Sequence, residues 1–253
     1  MIKMKPINLS SITKNGKAIY LAYDQGIEHG PEDFNDKNVD PLYIISIAKK
    51  GKFNGIVFQK GIAEKYNPEI LKSKVPLIVK LNGKTKLQGS DPISEPICTV
   101  DEAIKLGAKA VGFTIYIGSK HESHMFKHFA EIEKQAHAKG LPVILWCYPK
   151  GQSVKDDSSK EMMAYAARTG LELGADIVKI KYNGNPSDLK WAVKSAGRCK
   201  VVIAGGVKKE GNDFIEYTKG LMSAGAIGLA VGRNVWQSDN PYKLVDEIKN
   251  IIF

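Results

Sequence analysis

Leu173-Gly174-Ala175-Asp176-Ile177-Val178-Lys179-Ile180-Lys181-Tyr182 closes one segment of the chain and opens another. Leu173-Gly174-Ala175 ends a helical pattern and an apolar, β-branched run follows it. Asn183-Gly184-Asn185-Pro186 then turns the chain away, so Asp176 to Tyr182 reads as a buried strand. The same junction, glycine-alanine before an apolar strand, recurs at Gly107-Ala108 and Gly225-Ala226. It is the helix-to-strand turn of a repeating unit. By the same reading the remaining strands run from Ala18 to Asp24, Gly55 to Gln59, Pro76 to Asn82, Ala110 to Ile117, Pro142 to Tyr148, Lys200 to Gly206 and Ala226 to Gly232. Helical patterns lie between them: Pro41 to Ala48, Val100 to Leu106, Glu122 to Lys139, Lys160 to Leu173, Ser187 to Ser195, Asp213 to Ala224 and Pro241 to Ile252. Strict alternation implies parallel strands joined by crossovers, and eight units favour closure into a barrel over an open sheet. The expected fold is α/β, a single-domain (β/α)8 TIM barrel spanning residues 1–253, a length at which such barrels are common (about 250 residues).

Bulk composition narrows the function. Hydrophobic residues make up 43% of the chain and charged ones 25%, the balance of a globular protein with a sizeable core rather than a disordered one. A formal charge of +10 admits nucleic acid, membrane surfaces or small anions. The lysines are spread over helical stretches, as at Lys127, Lys134 and Lys139, without an arginine-rich arm or interleaved aromatics, which argues against nucleic acid. Cys98, Cys147 and Cys199 lie far apart and form no C-x-x-C pair, so neither a disulfide framework nor a zinc knuckle is indicated. Met1-Ile2-Lys3-Met4-Lys5-Pro6 carries no long apolar leader, and no run reaches the roughly 18 apolar residues of a membrane span. A cytoplasmic protein is expected.

In this fold chemistry sits at the C-terminal ends of the strands. Lys179 and Lys181 share a face of the sixth strand. A lysine in a strand more often snorkels outward, but one buried at a barrel mouth loses hydration, favours its neutral amine and can attack a carbonyl. Lys179 lies deeper and is the better nucleophile; Lys181 is a rim cation. Lys80, on the third strand, is a competing inward lysine whose charge would help depress the amine of Lys179. On the fifth strand, period-two alternation puts Ile144, Trp146 and Tyr148 on one face. If that face is inward, Tyr148 offers a phenol for proton transfer at the rim with Trp146 beneath it. Asp24 shares the face of Ala22 and Tyr20 and should point to the mouth, although an aspartate at a strand end is also a common helix N-cap. Gln25 and His29 follow in a glycine-bounded turn, where the imidazole is open to an anion, a metal or a structural role. The seventh and eighth strands end in Ala204-Gly205-Gly206-Val207 and Val231-Gly232-Arg233, where glycines admit an anion to backbone N–H groups and Arg233 adds a forked donor. His121, His124 and His128 have helical spacing but fall on an outer helix, and they are expected to form a solvated face with no metal.

These segments together resemble the archaeal-type class I fructose-1,6-bisphosphate aldolases, a (β/α)8 family acting through a lysine Schiff base. The likeness is carried by Tyr23-Asp24-Gln25-Gly26-Ile27-Glu28-His29-Gly30-Pro31, Lys80-Leu81-Asn82-Gly83-Lys84-Thr85, Trp146-Cys147-Tyr148-Pro149-Lys150-Gly151, Gly174-Ala175-Asp176-Ile177-Val178-Lys179, and Ala230-Val231-Gly232-Arg233-Asn234-Val235-Trp236-Gln237. The resemblance implies Lys179 as Schiff-base nucleophile, Tyr148 as general acid/base, Asp24 as an assisting carboxylate and Trp146 as pocket wall. It places a phosphate on Gly205, Gly206, Gly232 and Arg233, with Lys150 near the other end of the sugar. It also implies a phosphorylated sugar as substrate, no cofactor and no metal, and assembly into a homo-oligomeric ring, a decamer being one such size. Ala204 stands where the aldolases commonly carry Ser, and Val207 where Pro is usual. Related aminodideoxyheptulosonate synthases of aromatic amino acid biosynthesis also tend to have Ala there, which makes a transaldolase-like 2-amino-3,7-dideoxy-heptulosonate synthase the alternative.

Overall fold

The structure is a computed structural model and describes residues 7–89, 91–209 and 212–253; the leader reading of Met1 to Pro6 lies outside them. Eight parallel strands close into a barrel: Ala18–Ala22, Gly55–Gln59, Leu77–Lys80, Ala110–Ile117, Val143–Pro149, Ile177–Ile180, Lys200–Ala204 and Gly228–Val231. Each pairs with its neighbour in sequence, and the first meets the eighth in register from Ala18↔Gly228 to Leu21↔Val231. Every strand is covered on both faces, which is why the runs read as continuous hydrophobics. Tyr20, Val57, Ile78, Ile144, Ile177, Val202 and Ala230 fill the interior in one cluster. Outward residues such as Leu21, Phe58, Val79, Val111, Leu145 and Val178 pack in a second cluster with the helices.

The helices form where apolar spacing and caps coincide. Thr99 and Glu102 make a reciprocal capping box at the start of Val100–Lys105. Asp40, Ser159 and Asn185 each cap the helix that follows, and Pro occupies the first turn of Pro41–Lys50 and Pro186–Ser195. The expected strands are all present, but the first, third, sixth, seventh and eighth stop one to two residues short at their C-terminal ends. Asp24, Lys181 and Gly206 therefore stand in loops above the sheet. Three features carry no mark in the strand and helix periods: helices Lys60–Lys65 and Asn67–Ser73, and a two-residue antiparallel pairing of Asn82–Gly83 with Glu95–Pro96 beside the third strand. Short helices at Gly26–His29 and Arg233–Trp236 sit directly on the C-terminal rim, above the first and eighth strands.

Candidate active site

A cavity of about 580 Å³ opens at the C-terminal ends of the strands. Asp24, Gln25, His29, Trp146, Tyr148, Lys150, Lys179, Lys181, Ala204, Gly205, Gly206, Gly232 and Arg233 all line it. The sheet register sets its floor. Lys179 is the cross-strand partner of Trp146, and Trp146 of Thr114, so all three project inward at one level. The indole packs directly on Gly112, which leaves room for it: a Cβ there would fall 2.0 Å from the ring. The amine of Lys179 stands 5.0 Å from the centroid of that ring and the amine of Lys80 5.5 Å, so both lysines lie against the indole.

Those two lysines have different surroundings. Lys80 is fully buried, donates to Glu28 Oε1 at 3.1 Å and lies 3.7 Å from Asp24 Oδ2. Its amine is held between two carboxylates. Lys179 is buried and, among the described residues, has no carboxylate within ion-pairing reach. Burial lowers its pKa from 10.5 to about 8; the Lys80 charge acts in the same direction, and Asp24 and Glu28 only partly oppose it. At pH 7 about a tenth of such amines are neutral, against roughly one in three thousand for an unshifted lysine. This is the state that nucleophilic attack on a carbonyl requires.

Tyr148 is half-buried beside this pair, and burial, reinforced by Asp24 and Glu28, holds its proton well above the usual phenol range. It enters any reaction near neutrality carrying a proton to give. Glu28, Tyr116 and Lys84 were not singled out by the sequence reading. Glu28 accepts from Lys80 and from the Tyr116 hydroxyl at 3.1 Å, and Lys84 lies over the Tyr116 ring at 5.5 Å. Burial alone would raise the Glu28 carboxyl, but Lys80 overrides it and keeps the group below its ordinary range. Burial lowers the Lys84 amine, and the neighbouring charge of Lys150 lowers it further. Counting by twos along the fourth strand from Gly112 would have put Tyr116 on the inner face; Glu28 sits in the four-residue helix Gly26–His29 and Lys84 in a loop, both too short to show a period.

Gly205, Gly206, Gly232 and Arg233 form a further part of the cavity rim. Gly206 has φ +72°, a left-handed conformation that suits glycine, and Gly232 passes so close to the first strand that a Cβ would lie 2.9 Å from the carbonyl of Ala22. Asn234 clamps the loop after the seventh strand, donating to the carbonyls of Gly205 at 2.9 Å and Val207 at 3.1 Å and accepting from Lys209 N at 2.7 Å. Asp33 sits behind the rim, 3.3 Å from Arg233 and 2.7 Å from His29 Nδ1, so the guanidinium and the imidazole are held by one carboxylate. Lys181 pairs with Asp157 at the edge. Asp33 and Asn234 too carry no role in the sequence: Asp33 lies in a segment without a strand or helix period, and Asn234, although it follows Gly232-Arg233, acts through carbonyls that only the folded loop brings to it.

Residues 18–238 match the model of the DeoC/LacD family aldolase. The chain is 48% identical to a class 1 fructose-bisphosphate aldolase of Thermoproteus tenax over 248 residues, 97% of this chain and 93% of that protein. A solved Schiff-base-forming fructose-1,6-bisphosphate aldolase, studied through its reaction intermediates, superposes with a TM-score of 0.92 at 47% identity, covering 97% of this chain and 98% of the other. An archaeal fructose-1,6-bisphosphate aldolase with its catalytic lysine covalently bound to the carbinolamine intermediate gives 0.91 at 46% identity, with coverage of 96% and 97%. With 221 of its residues inside the family model and near-complete overlap with these aldolases, the chain belongs to the DeoC/LacD family of aldolases.

Proposed function

We propose that this chain is a class I, Schiff-base aldolase that reversibly cleaves fructose 1,6-bisphosphate to dihydroxyacetone phosphate and glyceraldehyde 3-phosphate, a step of glycolysis and gluconeogenesis. The observation that carries the reading is the buried amine of Lys179, with its pKa lowered to about 8 and free of a carboxylate partner among the described residues, on the inner face of an aldolase barrel. Lys179 adds to the C2 carbonyl, and loss of water gives a protonated imine. Removal of the C4 hydroxyl proton breaks the C3–C4 bond, glyceraldehyde 3-phosphate leaves, and the bonding pair moves to the imine nitrogen as an enamine. Tyr148 returns a proton to C3, and hydrolysis frees dihydroxyacetone phosphate and the amine. Asp24 orients the hydroxyls and assists the proton transfers.

In this reading the ketose phosphate lies on Gly205, Gly206, Gly232 and Arg233. The second phosphate meets Lys84, Lys86 and Lys150, which line the other side of the cavity. Gln25, His29 and Lys181 complete the substrate contacts. Ala204 supplies no hydroxyl, so phosphate binding rests on the glycine backbone and Arg233. Among the described residues no helix is long and apolar enough to cross a membrane, and we place the enzyme in the cytoplasm as a homo-oligomer. Transfer to an amino-acid-derived acceptor, the synthase alternative, gains nothing from the aldolases compared above. Steady-state cleavage of fructose 1,6-bisphosphate by Tyr148→Phe tests the assignment: turnover should fall by roughly two to four orders of magnitude while imine formation persists. Undiminished turnover would remove Tyr148 from its role.

A further inference from the structure

His124 and His128 stand one helical turn apart on Glu122–Ala138, on one face of the helix. Their rings meet edge to face, with centroids 4.4 Å apart and Nε2 atoms 2.9 Å apart. The expectation of a merely solvated face did not include Glu95, which the short antiparallel pairing beside the third strand delivers to the same spot from 29 residues away in sequence. One carboxylate oxygen lies 3.1 Å from His124 Nε2 and the other 3.4 Å from His128 Nε2. Each residue thus offers one ligand atom, and all three atoms fall within 4.8 Å of one another. Donors bound to a tetrahedral ion at about 2.0–2.1 Å stand about 3.3 Å apart, and the observed separations straddle that value.

We propose that Glu95, His124 and His128 form a binding site for a divalent transition-metal ion on the outer wall of the barrel. Two imidazoles and one carboxylate suit zinc, cobalt, nickel or copper; magnesium and calcium prefer oxygen alone. Glu95 and His124 are about half exposed, at 48% and 51%, so a fourth position stays open to water. The site is separate from the cavity, whose lining includes none of the three residues. Its effect is mechanical. An ion there joins the helix after the fourth strand to the segment holding Glu95, whose partner strand Asn82–Gly83 directly precedes Lys84 in the cavity wall. Binding to the folded chain alone stabilises it in proportion to the logarithm of metal concentration.

The test is titration of the tag-free chain with cobalt(II) alone, followed by its visible absorption, together with thermal unfolding in the presence of zinc(II). Wild type should take up about one ion per chain with the intense absorption of low-coordinate cobalt, and zinc should raise its unfolding temperature. His124→Ala, His128→Ala and Glu95→Gln should each bind at least about tenfold more weakly and lose the zinc-dependent shift. All three should cleave fructose 1,6-bisphosphate like wild type, which also shows that they fold. Equal binding in the variants would place the ion elsewhere and would overturn the proposal. So would a wild-type spectrum of hydrated cobalt only.

Discussion

Two lysines bring their amines to within 5.0 and 5.5 Å of the centroid of the Trp146 ring, and their surroundings differ. Lys80 is tied to Glu28 and lies near Asp24, whereas Lys179, buried against the Trp146 ring, has no carboxylate partner among the described residues. Lysine burial is costly, and the cost falls on the ammonium form and therefore favours the amine. The sign of the pH dependence follows directly. Below the folded pKa of about 8 the Lys179 amine is mostly protonated, so borohydride trapping of a carbonyl substrate should rise about ninefold from pH 6 to 7, about fivefold from pH 7 to 8, and level off above that. A profile still climbing as far as pH 10 would mean that Lys179 behaves as an ordinary surface lysine. Within the same cluster, Lys80 and Glu28 act through others: Lys80 adds positive charge beside Lys179, and Glu28 takes the Tyr116 hydroxyl.

At the scale of the element, the site is a property of strand ends. Parity along the strands made Lys179, Trp146 and Tyr148 legible, because a period of two fixes which residues face inward once a barrel is assumed. The loops were legible only in part. Glycines marked the rim expected to hold an anion, yet neither the carboxylate that holds Arg233 nor the bonds by which the Asn234 amide clamps Gly205 to Lys209 could be read from a period. The strand runs in sequence overshoot the strands in space for the same reason. Residues such as Lys181 and Tyr182 are apolar or long enough to look strand-like, but they leave the sheet: Lys181 goes to Asp157 and Tyr182 packs on Tyr217 at 4.9 Å. Glu95–Pro96 is too short to show any period, which is why the histidine pair looked solitary. The clamp can be tested. Asn234→Ala removes three hydrogen bonds from the rim and should lower stability by about 1–3 kcal/mol. It should raise KM for the bisphosphate more than it lowers kcat, in steady-state kinetics beside a denaturant titration. A variant with unchanged KM would mean that the loop holds its shape without the amide.

For the whole molecule, closure of eight strands sets the first beside the eighth and brings residues far apart in sequence to one mouth. The excess positive charge of the chain reaches that mouth as Lys84, Lys86, Lys150, Lys181 and Arg233, in part balanced by Glu32, Asp33 and Asp157. A doubly phosphorylated substrate should feel this field. KM should therefore rise as ionic strength goes from about 0.01 to 0.15 M, where the screening length shrinks from roughly 30 to 8 Å, while kcat changes little. A salt-independent KM would restrict the phosphate contacts to the glycine rim. The most direct measurement for the central claim is reduction of the enzyme with borohydride in the presence of dihydroxyacetone phosphate and EDTA, followed by peptide mass mapping. The account predicts a reduced triose phosphate on Lys179. An adduct on Lys80 or Lys181 instead, or no adduct while cleavage activity is lost to EDTA, would contradict it.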